Sequence, residues 1–566
     1  MIWNIQFRPK LIECLRDYSK RKFFSDLAAG ITVGIVALPL AMAFGIASGA
    51  TPQAGIFTAV IAGFLISALG GSRVQIGGPT GAFIVIVYGI IAQYGLANLY
   101  LCTIMAGVIL LIMGASGLGT VIKYIPLPVT LGFTNGIAVL IFATQIKDFF
   151  GLKLDPVPSN FFAKMEALGE SFPTLNFTTV AIAAGSLLLL ILWPVKWRTV
   201  VPGSIVAVIA GTLAVTFFHL PVETIGSHYG EIPQGLPPLH IPEITWSHLG
   251  DLVRPATTIA LLAAIESLLS AVVADGMIDD RHDSNQELMA QGIANIVCPF
   301  FGGIPATGAI ARTATNVRSG AVSPVAGIIH AITLLLILLV AAPLAKYIPL
   351  ATLSAVLMLV AFNMGEWQEF RLLGKYPKSE TTVFLTTFGL TIAFDLTVAV
   401  EIGMILAAIL FIQRVSEMTR VSLVDEATDA EGDHHSLRGK EVPPGVLVFS
   451  VFGALMFGAA EKLENVLLHS RQEPRVLILR MNKVVAMDST ALNILEHLHQ
   501  KLHKRGVRLI LSGPHTQPYV LLENSGFLDR LGRDNIAADL DDALAKSQAL
   551  ALAEKRRHDY EQSKKD

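Results

Sequence analysis

The chain has 566 residues, 53% of them hydrophobic and 15% charged, with a formal net charge of −2. Soluble domains carry roughly 25% charged residues, so this balance marks a membrane protein. The near-neutral charge, with no lysine-rich tract or interleaved aromatic stripe, gives no reason to expect a nucleic-acid partner, and none is expected. The cysteines Cys14, Cys102 and Cys298 are too scattered for a disulfide framework or a metal site, and read as small core residues.

In chain order, residues 1–22 form a basic, partly amphipathic cytoplasmic segment without the pattern of a signal peptide. Apolar runs follow near 27–47, 52–70, 98–115, 127–146, 176–194 and 201–219. A second set lies near 255–274, 286–301, 322–342, 349–365, 379–395 and 397–413, the run at 286–301 being shorter. Segments 79–92 and 306–320 differ. Each follows a Gly-rich, proline-containing approach, GGSRVQIGGP and FGGIP, and is too short to cross a hydrocarbon core of roughly 30 Å. They read as half-helices. The expectation is an α-helical membrane protein of fourteen transmembrane segments over 23–420, in two seven-segment repeats at about 23–220 and 250–415. A polar linker over 421–442 leads to a small α/β domain over 443–550, where strand-like runs alternate with helical ones, and to a tail at 551–566.

Two short matches support the duplication. Thr80-Gly81-Ala82 in GPTGAF returns as Thr307-Gly308-Ala309 in PATGAI, and KYIPLP returns as KYIPLA, each about 225 residues on. Basic residues set the orientation. With both termini cytoplasmic, the inside collects Arg8, Lys10, Arg16, Lys20, Arg21, Lys22, Arg73, Lys123, Lys196, Arg198, Arg281, Arg318, Arg371, Lys375, Lys378, Arg414 and Arg420. The outside holds Lys147, Lys153, Lys164, Arg254 and Lys346. Seven is odd, so the second repeat inserts upside down and the two broken segments approach from opposite faces. Their helix N-termini then meet near the midplane.

A half-helix that starts inside the membrane leaves backbone N–H groups without partners and places the positive end of its dipole there. Two such ends make a site for a small anion. Gly81, Ala82, Gly308 and Ala309 let a ligand approach the backbone, and Thr80 and Thr307 supply hydroxyls or caps. Inverted repeats with interrupted helices are a transporter pattern. Ionisable residues inside spans are functional candidates. Glu266 and Ser270 share one helix face, and Arg312 sits about a turn into the second half-helix. A carboxyl group in a water-poor cavity can exchange a proton, whereas an arginine stays charged and offsets an anion. A fixed Glu266–Arg312 ion pair is the structural alternative. Glu401 lies within a span with its face unassigned, while Asp275 and Asp395 fall near span ends.

These residues also carry a resemblance. AGITVGIVALPLAMAFGIASGATPQAGIFTA, IGGPTGAF, IESLLSAVVADG and NQELMAQGIANIVCPFFGGIPATGAIARTATNVRSGA together resemble the SulP (sulfate permease) family of anion transporters over almost the whole chain. The resemblance implies two inverted repeats arranged as core and gate domains, with substrate between the third and tenth segments. It implies site residues Ala43, Phe44, Thr80, Glu266, Ser270, Gly308, Ala309, Ala311 and Arg312. The match is strongest to the bacterial C4-dicarboxylic acid transporter (DauA-like) branch. Family members resembling sodium-coupled bicarbonate carriers have aspartate at the Glu266 position and lack the arginine of Arg312, a departure that favours proton coupling. The C-terminal domain resembles a STAS domain, whose antagonist relatives carry a phosphorylated serine where Ser489 stands in MDST. Capping of the next helix by Asp488 or Ser489 is the alternative. His499 and His503 share a helix face without further metal ligands.

The expected function is secondary transport of a small anion in the bacterial inner membrane, by proton-coupled symport of C4-dicarboxylates (succinate, fumarate, aspartate) or sulfate. Alternatives are sodium-coupled bicarbonate transport and an anion-binding sensor signalling through the soluble domain. Nucleobase–cation symporters share the architecture by analogy but would not account for that domain. No catalytic residue, metal or cofactor is expected. The expected partners are the anion, a coupling proton, membrane lipid and a cytosolic protein for the STAS-like domain, and the resemblance implies a homodimer.

Overall fold

The computed structural model describes residues 7–120, 126–154, 157–194, 202–231, 234, 235, 239, 241, 249–394, 396–424, 437, 440–456 and 474–550. Lys123, Lys196, Arg198, Asp395, most of the linker at 421–442 and the tail at 551–566 lie outside the described residues. The chain divides into two compact units, Met1–Ala407 and Ala408–Asp566.

The first unit is helical: α1 Lys10–Arg16, α2 Lys20–Ala47, α3 Pro52–Leu69, α4 Ile84–Tyr94, α5 Leu96–Ala115, α6 Leu127–Phe150, α7 Phe161–Ser171, α8 Phe177–Leu192, α9 Gly203–Phe217 and α10 Ile225–Tyr229. It continues as α11 Leu249–Ile278, α12 Ser284–Val297, α13 Ile310–Arg318, α14 Val325–Ala345, α15 Leu350–Met364, α16 Trp367–Leu372 and α17 Lys378–Ala393, and α18 Leu396–Met418 begins in it and ends in the second unit. Each expected segment falls on a helix. Among the described residues, eight helices are long and apolar enough to cross a membrane, namely α2, α3, α5, α6, α11, α14, the run containing α15, and α18.

Two groups of helices pack together. α2, α3 and α5 lie against α11, α12 and α14, while α6, α8 and α9 lie against α15, with α17 on α6. Helices in lipid gain little from apolar burial and associate through close backbone approach. The α5–α12 crossing shows it: a Cβ on either Gly107 or Gly292 would sit 2.7 Å from the other's carbonyl oxygen. Between α3 and α4, Gly77–Gly78 forms strand β1, and before α13, Thr307–Gly308 forms β2. They pair antiparallel, Gly77 with Gly308 and Gly78 with Thr307.

In the second unit, β3 Arg420–Leu423, β4 Val446–Leu455, β5 Val476–Met487, β6 Arg508–Ser512 and β7 Ile536–Ala537 form one sheet in sequence order. Only the β3–β4 pair is antiparallel. Strand β5 is buried on both faces. Leu477 and Leu479 belong to one core with Leu495 and Phe527, and Ile478 to another with Val448 and Ile510. The helices are α19 Ser489–Lys504, α20 Thr516–Asn524 and α21 Phe527–Leu531. Asp488 caps α19, accepting from the Ala491 N–H at 2.9 Å, and leaves Ser489 exposed at the first helical position. The His499 and His503 rings lie 6.0 Å apart. Burial and the neighbouring His503 pull the His499 pKa down, and no group of metal-ligating side chains forms among the described residues.

Candidate anion site

The two half-helices meet through the β1–β2 pair. A short 3-10 turn, Gly81–Phe83, leads into α4, and α13 starts at Ile310. At both starts the N–H groups of Gly81 and Ala82, and of Ile310 and Ala311, have no intrahelical acceptor. They donate to no other group among the described residues. Ile310 and Ala311 are exposed, while Thr80, Ala82, Gly308 and Ala309 are buried. A methyl group on Gly81 would touch Phe44 of α2, Ile141 of α6 and Met364 of α15 at 3.3–3.6 Å. The head of α4 therefore lies where the two helix groups face each other, and Ala43, next to Phe44 in the chain, is fully buried.

Arg312 of α13 is buried, and its fork divides. Nη2 donates to the Pro79 carbonyl oxygen just before the α4 head, and Nη1 has no partner. Gly78, at φ 146°, admits this arrangement, since a Cβ there would lie 2.6 Å from Nη1. Thr80 does not cap its helix, and its buried hydroxyl also lacks a partner. Thr307 instead donates to the Ala263 carbonyl of α11 at 2.8 Å, which fastens β2 to α11.

Glu266 of α11 is 9% exposed. It forms no ion pair with Arg312 or any other described residue, so the fixed Glu266–Arg312 pair is not present. Ser270 is fully buried and donates to Thr313 Oγ1 at 3.1 Å, while Thr313 Oγ1 accepts from the Ile76 N–H at 3.0 Å. Ser270 thereby positions α13 and the β1 approach. Glu401 pairs with Arg254 of α11 at 3.2 Å on an exposed surface, and Asp275 accepts from His282 Nδ1 at 2.7 Å.

A buried polar frame holds the strand pair, and the apolar periodicity of the spans gave no sign of it. Glu287 of α12 accepts from the N–H groups of Gly71 and Ser72 at 3.0 and 3.2 Å, and from Ser267 and Gln291. Gln75 donates to Ser267 Oγ at 3.0 Å. Asn295 pairs with both backbone groups of Ala306, at 2.8 and 2.9 Å, as a strand neighbour would. The density of polar residues in the short run NQELMAQGIAN was the available signal. At the C-terminal end of α13, Asp26 of α2 accepts from the N–H groups of Val322 and Ser323 at 2.7 and 3.1 Å.

Gly308 lies inside this frame. A Cβ there would overlap Gln75 Nε2 at 1.7 Å and press on the Ser267 backbone at 3.1 Å. Gly308→Ala should therefore break the Gln75–Ser267 bond and lower stability by about 1–3 kcal/mol, the usual effect of orphaning buried polar groups. Thermal unfolding in detergent reads this, and an unchanged midpoint would show that the frame yields at no cost.

An apolar hollow of about 470 Å³ lies between α2, α3, α9 and α14, lined by residues such as Leu38, Met42, Ile56 and Val208. With no charged residue in its lining, it does not suit an anion.

Residues 23–387 match the sulfate permease family and residues 439–543 the STAS domain. The putative sulfate transporter YvdB of Bacillus subtilis is 44% identical over 92% of this chain and 97% of its own length. The bicarbonate transporter BicA of Picosynechococcus sp. is 29% identical over 93% of this chain and 94% of its own length. Among solved structures, the transmembrane domain of a cyanobacterial BicA aligns with 69% of this chain and 98% of its own, at 30% identity and TM-score 0.62. Murine Slc26a9 in the inward-facing state aligns with 96% of this chain and 94% of its own, at TM-score 0.85 and 19% identity, a likeness of fold. The chain is thus a multi-pass membrane protein of the sulfate permease family of anion transporters, with a C-terminal STAS domain.

Proposed function

We propose that this transporter moves a small divalent anion, sulfate or a C4-dicarboxylate, together with a proton. The observation that carries the reading is the pair of half-helix heads joined by β1 and β2. There, unpaired backbone donors stand beside the buried Thr80 hydroxyl and the buried Arg312 Nη1. Thr80, Gly81, Ala82, Gly308, Ala309, Ala311 and Arg312 would surround the anion, with Phe44 beside it, Ala43 next to Phe44 in the chain, and Ser270 holding α13 in place. Glu266 would carry the proton: buried, close in sequence to Ser267 of the frame, and free of any fixed cation, it can change its charge without breaking a structural bond. The protein would act as a homodimer in the bacterial inner membrane with both termini cytoplasmic.

Reconstituted protein tests this directly. Labelled sulfate or succinate should accumulate in vesicles under an inward proton gradient, and accumulation should stop when the gradient is collapsed. Stoichiometric binding without accumulation would favour an anion sensor. Sodium-driven accumulation of bicarbonate would favour the second reading, which rests on the similarity to the BicA transporters.

The STAS domain would act in assembly or regulation, with a cytosolic protein as its partner and Ser489 as a candidate phosphosite. Truncation after Arg420 should then lower expression or rate while preserving the order of substrate preference. A changed order in a competition assay would place the domain in the transport route. Ser489→Asp with unaltered transport and partner binding would leave that residue a bystander beside the Asp488 cap.

A further inference from the structure

Lys164 of α7 is 5% exposed. Its ammonium lies over the Tyr88 ring of α4, 5.4 Å from the centroid, and has no hydrogen-bond or ion-pair partner among the described residues. The charged groups on the elements packed around it are Lys147 and Asp148 of α6, Glu166 and Glu170 of α7, and Lys378 and Glu380 of α17. None of them pairs with it. A ring face returns only part of what burying an ammonium costs, so this is a largely buried cation without a counter-charge among the described residues.

Its place in the fold says which counter-charge. Tyr88 stands seven residues beyond Gly81 on the same helix, roughly 10 Å from the anion site along the axis. Its hydroxyl donates to the Val157 carbonyl oxygen at 2.6 Å. Val157 and Lys164 thus both hold Tyr88, one turn or more beyond the head of the half-helix that would form the site. α7 packs on α6 and α17, helices of one group, whereas α4 packs on α5 of the other as well as on α6.

We infer that Lys164 is an anion-capture residue on the α7 side of the transport route, where an approaching small anion takes the place of the Tyr88 ring face before passing along α4 to Thr80 and Gly81. This rests on the anion-transport reading above. Burial lowers the Lys164 pKa to about 8. The cation is therefore fully present below that pH and is lost as pH rises through it, so capture should weaken in the same direction.

The test uses full-length protein in vesicles and initial rates of labelled sulfate and bicarbonate uptake, with pH varied on the α7 side. Lys164→Met should raise the sulfate KM about tenfold while leaving kcat within about twofold, a difference of one decade in affinity. Lys164→Arg should keep the wild-type KM and abolish its rise above pH 8, because arginine stays protonated. A fall in kcat with unchanged KM in Lys164→Met would reduce Lys164 to a tether for α4 and overturn the capture role. If Lys164→Met does not fold, the arginine variant decides alone: a KM that still rises above pH 8 overturns the proposal. Wild-type protein that takes up neither anion would defeat the transport reading and this inference with it, whereas wild-type uptake with an unaltered Lys164→Met KM defeats the inference only.

Discussion

Arg312→Ala is expected to weaken binding of a dianion by about 2–5 kcal/mol, the range for removing one partner of a buried charged pair, and to weaken a monoanion much less. Two half-helix ends offer only about half a charge each, which balances one negative charge and leaves a second exposed to a poorly screening interior. On the proposed function, Arg312 would supply the fixed charge. Its two nitrogens have separate duties, with Nη2 on the Pro79 carbonyl oxygen and Nη1 open. Lysine has a single ammonium and must choose between them, so Arg312→Lys should keep only part of the dianion affinity and loosen the α4 head. Binding titrations compare sulfate with a monoanion at one pH, in a Glu266→Gln background that removes the competing titration. Equal losses for both anions would make Arg312 a structural bolt between α13 and Pro79, and no loss for either would place the site elsewhere.

Glu266→Gln should abolish proton-driven accumulation while anion exchange survives. Glutamine fixes the neutral form, so the carrier can still present its site to either side but no longer links that step to a proton. The geometry makes the substitution mild, because Glu266 has no fixed ion-pair partner, in contrast to Glu287 with its backbone donors. Accumulation and counterflow measured on the same vesicles separate the two outcomes. Gradient-driven accumulation that persists would remove Glu266 from the role. Glu401 would be a weak successor, since its exposed pair with Arg254 already balances its charge.

Much of this arrangement could be read from the amino-acid order. The Thr-Gly-Ala repeat marks the heads of α4 and α13, and the glycine-rich approaches mark the strands that join them. Composition alone cannot show where a fork of donors points. Arg312 reads from sequence as a charge that offsets an anion, with a Glu266 pair as the alternative, and neither reading foresees that one nitrogen goes to the backbone carbonyl of Pro79, because carbonyls are invisible to any pattern of side chains. The hydroxyls of Thr307 and Ser270 look like ligand contacts for the same reason, and both serve the frame that fixes the strands. Glu287 and Asn295 stand in one polar run, but their partners at Gly71, Ser72 and Ala306 and the neighbouring Gln75 acquire meaning only when α12 is laid across both approaches. Segment number is also less legible than segment position: every expected span falls on a helix, but the shorter ones reveal themselves through neighbours and not through length.

The pairing of Gly77 with Gly308 has a consequence for biosynthesis. Its two strands are made far apart in time, so a nascent chain that has completed only the first repeat holds β1 in the membrane with an unpaired edge, a state that lipid does not tolerate. The first half must wait, shielded by other proteins or kept in a wet passage, until residues near 308 emerge from the ribosome. On the proposed function, the anion site would be completed only at the end of membrane insertion. Co-expressed halves of this chain should rescue each other, and either half made alone should be an early target for membrane proteases.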